Sequence, residues 1–177
     1  VPFGNYGVFD KRYNKENFLI HDYFFAKTLD KVAPNGIVAF VTTKGTMDKQ
    51  NPKVREYLAK RADLLGAVRL PNNAFKANAG TEVTVDIIFL QKREKMAVEL
   101  PDWCYVGKNH DGIPINNYFL DHPEMILGEM QMVSGRFGPE PSCVPYEGAD
   151  LEEQLSEAIA NIHGEVTAYE VDDELTE

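Results

Sequence analysis

Cysteine is scarce in this 177-residue chain, and Cys104 and Cys143 have no second Cys or His at zinc-ligand spacing. They are expected to be reduced thiols packed as small apolar groups, the usual state in a cytoplasmic protein. The four histidines, His21, His110, His122 and His163, are scattered and fall in no HExxH pattern, so the spacing predicts no metal site. No apolar run reaches the roughly 18 residues of a membrane span, and no basic-then-apolar leader is present. The chain is expected to be cytoplasmic and to have no membrane partner. Basic residues nearly vanish after residue 95. Residues 96–177 hold 2 Lys and Arg against 18 Asp and Glu, whereas residues 1–95 hold 16 against 10. The formal net charge of −10 hides that division. A polyanionic partner suits the first part and not the second, because closely spaced carboxylates repel phosphates. The alternative is two solvated surfaces that merely differ. At 44% hydrophobic, the chain can bury one sizeable core but not two large domains.

The first part alternates between helical and strand patterns. Asn14 or Asn17 can cap a helix in which Leu19, Ile20, Tyr23, Phe24, Ala26, Leu29 and Val32 recur at three- and four-residue steps, stopped by Pro34-Asn35-Gly36. "GIVAFVTT" at 36–43 is continuously apolar and β-branched, as a strand covered on both faces of a parallel sheet should be. Asn51-Pro52 opens a second helix with Val54, Tyr57, Leu58 and Ala62 on its apolar side. "LLGAVRL" at 64–70 reads as a strand, and 82–91 as another that pairs with it antiparallel, since no helix separates them. The expected fold is therefore α/β, with parallel strands and an antiparallel hairpin at the sheet edge. "TTKGTMD" lacks the leading glycine spacing of a phosphate loop, which excludes that mode of nucleotide hydrolysis.

Val1-Pro2-Phe3-Gly4, the long helix, the apolar strand, the Pro-capped helix, "RLPNNAF" and "AGTEVTVDIIFLQK" occur in an order that carries a resemblance. Residues 1–95 resemble the C-terminal half of the catalytic domain of adenine-N6 DNA methyltransferases. In particular they are similar to the methylase segment of the large helicase–methylase proteins of mobile genetic elements. The resemblance implies a partial Rossmann-like methyltransferase sheet. It implies that Phe3 is the ring stacked on an extruded adenine and that the carbonyl of Val1 or Pro2 accepts an amino hydrogen. Gly4 would allow close backbone approach. Phe75, on a loop between two strands, would pack on the base from another side. Pro2, Phe3 and Phe75 are the implied catalytic positions. Lys11, Arg12, Lys15, Lys44, Lys49 and Lys53 are candidate DNA-phosphate contacts.

A methyltransferase also needs a strand, a Gly-rich turn and an acidic residue to hold S-adenosylmethionine, and Gly4 and Gly7 follow the motif rather than opening a helix. The chain is thus expected to be a piece that binds no cofactor alone. Its partners would be the missing N-terminal half and, through the parent protein, DNA. The competing expectation is a noncatalytic DNA-binding or scaffolding module of a larger helicase-type protein. Residues 96–164 read as a loop-rich and helical extension. In it, Asp121 is expected to cap a short helix across Pro123, "VSGRFGPEPSCVPYEG" reads as a loop, and Asp150 is expected to cap a helix striped by Leu151, Leu155, Ala158, Ile159 and Ile162. Residues 165–177 read as an acidic, mobile tail.

Overall fold

The apolar run after Gly36 forms strand β1 (Ile37–Thr43), and the next two runs form β2 (Ala62–Leu70) and β3 (Val85–Lys92). The computed structural model describes residues 1, 2, 4–80 and 82–168. Phe3 and residues 169–177 of the acidic tail therefore lie outside the described residues. The strand order is β1-β3-β2, with β3 antiparallel to both neighbours. This corrects the expected sheet, because no two named strands pair in parallel and the antiparallel strand is central rather than at the edge. β3 suits that place, having apolar side chains on both faces, from Val85 and Ile87 to Ile88, Phe89 and Leu90. β1 and β2 point the same way, and β3 fills the single-strand gap between them.

Helix α1 (Ile20–Lys31) and helix α3 (Lys53–Arg61) cover one face of the sheet, joined through the short helix α2 (Gly45–Asp48). Phe25 and Leu29 of α1 and Leu58 of α3 meet Phe40, Ile88 and Leu90 in the core. Neither expected asparagine caps α1. Asn14 Oδ1 accepts from the Asp10 amide, Asn17 is left-handed at φ 53°, and the Ile20 amide bonds to the Tyr6 carbonyl instead. The cap position of α3 is Pro52 rather than Asn51, whose Oδ1 accepts from the Lys53 amide at 3.0 Å from one residue further back. β1 departs from its expected double cover. Phe40 and Thr42 are buried, but Ile37 is 51% and Val41 46% exposed on the opposite face. Among the described residues no backbone hydrogen bond reaches its outer edge.

The outer edge of β2 is covered. The Leu127 amide donates to the Arg69 carbonyl, and the Gly164 amide to the Leu65 carbonyl, both at 2.9 Å. Residues 96–164 therefore pack into the same core, contributing Trp103, Ile115, Phe119, Met125, Leu127, Cys143 and Ala158. This region holds more strand than a loop-rich reading allows: β4 (Val106–Lys108) pairs with β5 (Pro114–Asn116), followed by α5 (Asn117–Asp121), and β6 (Gly128–Gly135) pairs with β7 (Gly138–Pro145). The proline-rich run forms a strand because Pro139, Pro141 and Pro145 alternate with the residues whose amides face β6. Each lies in phase with Cys143, whose amide points away from β6 to Thr84 Oγ1, so no ladder donor is lost. Asp121 ends α5 and caps nothing, whereas Asn116 caps α5 through the Tyr118 amide. Helix α6 (Leu151–Ala160) begins at Asp150, whose side chain accepts from the Glu153 amide as expected. Beyond α6, Thr167 exchanges two hydrogen bonds with the buried Gln91 side chain. Among the described residues no helix is long and apolar enough to cross a membrane.

Candidate functional site

The sheet register brings Lys44 and the 71–84 connection that carries Phe75 to one edge, whereas Arg12 pairs with Asp30 in the last turn of α1, away from that edge. β1 and β2 end, and β3 begins, where Thr43 and Leu70 both face Val85. Lys44, α2 and the 71–84 connection follow directly from those strand ends. The start of α1 lies there too, since Lys49 Nζ after α2 meets Asp22 Oδ2 in the first turn of α1 at 3.0 Å. The segment preceding α1 is held beside it by the Ile20 amide bond to Tyr6 and a bridge between Gly7 and Leu19. Pro2 is exposed at the beginning of that segment. A Cβ at Gly4 would meet the ring of Tyr6, an exposed side chain free to turn aside.

Phe75 is half-buried against the core, at the start of a short helix, α4 (Lys76–Ala79), that ends at Gly80 in the left-handed region with φ 68°. Asn72 fixes this loop. Its amide donates to the Cys143 carbonyl at 2.7 Å, its Nδ2 to Ser142 Oγ at 3.0 Å, and its carbonyl accepts from Val83 at 3.0 Å. A residue that reads in sequence as simple turn chemistry thus joins β7 to the approach of β3.

The six candidate phosphate contacts divide into two sets. Arg12 pairs with Asp30 at 3.4 Å, Lys49 with Asp22 at 3.0 Å and Lys53 with Glu16 at 3.6 Å. Lys11, Lys15 and Lys44 make no ion pair among the described residues, and Lys11 and Lys15 are exposed.

Behind the edge lies a charged network that periodicity did not single out. Arg69 is fully buried, with Nε and Nη2 each 2.8 Å from a carboxylate oxygen of Asp86 and Nη1 2.7 Å from Asp48 Oδ2. Its guanidinium also lies 4.5 Å from the centre of the Phe119 ring. Burial pulls the guanidinium down, and the carboxylates of Asp86 and Asp48 more than reverse this, so the group is ionic. Asp48 Oδ1 accepts from the Asn116 amide, and Asn116 Nδ2 donates to the carbonyls of Met47 and Trp103. Arg55, also fully buried, donates to the carbonyls of Cys104, Thr46 and Lys49. One signal was available in the sequence: a lone Arg in "LLGAVRL" and a lone Asp in "VTVDIIFL", opposite charges in neighbouring apolar strands. The network ties the strand ends that present Lys44 and the 71–80 loop to α2 and β5.

Comparison with known proteins bears on this arrangement. Over 106 residues, 57% of this chain, it is 36% identical to defense against restriction protein B of Escherichia phage P1. The chain spans 5% of the length of that relative. No solved structure matches. The N-6 DNA methylase family matches residues 7–111, a stretch that runs from the segment before α1 through all three strands and the Phe75 loop into β4. The chain therefore belongs to the N-6 DNA methylase family.

Proposed function

We propose that residues 1–95 are the target-base half of an S-adenosylmethionine-dependent DNA adenine-N6 methyltransferase, and that residues outside this chain supply the half that holds the cofactor. One observation carries the reading. β1 closes the sheet with an outer edge that no described residue pairs, and turns Ile37, Ala39 and Val41 to solvent, in a chain of the N-6 DNA methylase family. A further strand laid parallel along that edge would satisfy its amides and carbonyls and cover its apolar face. Among the described residues, the turn from β1 into α2 opens with Lys44 and Gly45 rather than a Gly-rich run, so it does not form a cradle for the cofactor.

The adenine amino nitrogen is a weak nucleophile, its lone pair delocalised into the ring, and in duplex DNA it must leave the stack to react. In the proposed site Phe3 stacks on the extruded base and Phe75 packs on it from the side. The carbonyl of Val1 or Pro2 accepts an amino hydrogen, which favours a pyramidal nitrogen. S-adenosylmethionine, when bound by the completed enzyme, supplies the electrophilic methyl group. Positioning of the base then accounts for much of the rate. Lys11, Lys15 and Lys44 would hold phosphates, while Arg12, Lys49 and Lys53 reach them only by releasing their carboxylates.

The test is transfer of a radiolabelled methyl group from S-adenosylmethionine to adenine in duplex DNA. A longer chain that restores the preceding segment is expected to carry it out, and residues 1–177 alone are expected neither to transfer methyl nor to bind the cofactor in calorimetry. Base–aromatic stacking is worth about 1–3 kcal/mol. Phe3→Ala in the longer chain is therefore expected to lower turnover by roughly one to two powers of ten, and Phe75→Ala by less. A longer chain that binds DNA and methylates nothing would establish the noncatalytic scaffolding role instead.

A further inference from the structure

We propose that His122, Glu124 and His163 form a binding site for one divalent transition-metal ion of the zinc class, which clasps the end of the C-terminal helix to the turn after α5. Sequence spacing does not reveal it, because His163 comes from a distant segment. The local geometry brings the three together in two steps. His122 leaves α5 and enters a tight 3₁₀ turn at Pro123–Met125, which sets His122 Nδ1 3.5 Å from Glu124 Oε1. The Gly164 bond to the carbonyl of Leu65 then fixes the chain after α6, so that His163 Nε2 lies 2.8 Å from the same Glu124 oxygen. The two imidazoles stack with centroids 4.6 Å apart and planes 25° from parallel.

One ligand atom from each residue lies within 4.8 Å of the other two. Tetrahedral ligands at about 2.0–2.1 Å from zinc are roughly 3.4 Å apart, so at most about 1.4 Å of closure is needed. Side chains exposed by 31%, 48% and 53% for His122, Glu124 and His163 have the freedom to make it. Two imidazole nitrogens and one carboxylate select zinc, cobalt, nickel or copper over magnesium and calcium, which favour all-oxygen sites. Three protein ligands leave a fourth position for water. The setting is anionic. Residues 96–177 carry 18 acidic side chains against 2 basic ones, and Glu157 joins Glu124 in the wall of an adjoining cleft of about 250 Å³.

The experiment titrates the 177-residue chain with Zn²⁺ and Co²⁺ by calorimetry and by cobalt d–d absorption, with Mg²⁺ as the comparison. One ion per chain is expected, with no saturable Mg²⁺ binding. The unfolding midpoint should rise by about 5–10 °C at a hundredfold excess over Kd. Losing any one ligand, in His122→Ala, Glu124→Gln or His163→Ala, should weaken binding by at least about tenfold. His110→Ala, which removes the ring paired with Asp111 elsewhere, should leave binding unchanged. If His163→Ala loosens α6 in circular dichroism, His122→Ala decides, since His122 lies outside that helix. Absence of a one-to-one complex, or undiminished affinity in His122→Ala, would overturn the proposal.

Discussion

Arg69 has no exposed surface, yet it carries a full charge between two strands and a helix. Its value to the fold lies in complementarity, because each carboxylate it meets was desolvated with it. Arg69→Met would leave Asp86 buried without a counter-charge, and urea unfolding should show a loss of about 3–5 kcal/mol. The cysteines act in the opposite way, by holding protons. Burial pushes the Cys104 thiol up to about 11 and the Cys143 thiol up to about 12, from an ordinary value of about 8.5. The folded chain binds these protons more tightly than the unfolded chain does. The stability they contribute is therefore complete below about pH 8.5 and is lost as pH rises toward 11 and 12. Thermal unfolding followed from pH 8 upward should show a falling midpoint in that window. At neutral pH both thiols should resist an aromatic disulfide reagent until the chain unfolds.

Among the elements, the segment after the C-terminal helix depends on a single small residue for its seat on β2. A Cβ at Gly164 would strike the backbone of Leu65, so Gly164→Ala should cost about 1–3 kcal/mol by overpacking. Hydrogen exchange along β2 should accelerate with it, as the Gly164 to Leu65 bond opens. Legibility in the sequence also varied by element. β1, β2, β3, α3 and α6 were readable because runs such as "GIVAFVTT", the helix-opening Asn51-Pro52 and the cap Asp150 act locally. The place of β3 between the other two was not, since strand order depends on which faces are finally covered. The β6–β7 hairpin was hidden by prolines whose missing amides matter only once the direction of pairing is known. At the site, the loop around Phe75 could be read from its turn residues, whereas the partners of Asn72 and the meeting of His122 with His163 depend on contacts far apart in the chain.

At the scale of the whole molecule, charge decides what the surface can approach. With 16 basic residues in 1–95 and three of the six candidate contacts already paired, DNA binding by this chain should be weak and steeply salt dependent. Electrophoretic mobility measured across salt concentrations tests this, and a chain shortened to residue 168 should bind equally or slightly better, having lost five carboxylates. Strand order has another consequence, for the time course of folding. β3 is the last of the three to be synthesised, and both other strands need it as their partner. Leu70 and Val85 are joined by one loop, but Thr43 and Val85 are separated by α2, α3 and the whole of β2. The β2–β3 hairpin should therefore close first, with β1 joining across the longer loop. On that order Val68→Ala should slow refolding, while Phe40→Leu should mainly hasten unfolding. Until residue 92 has left the ribosome, β1 is an apolar strand with both edges bare, the kind of nascent segment that a chaperone holds.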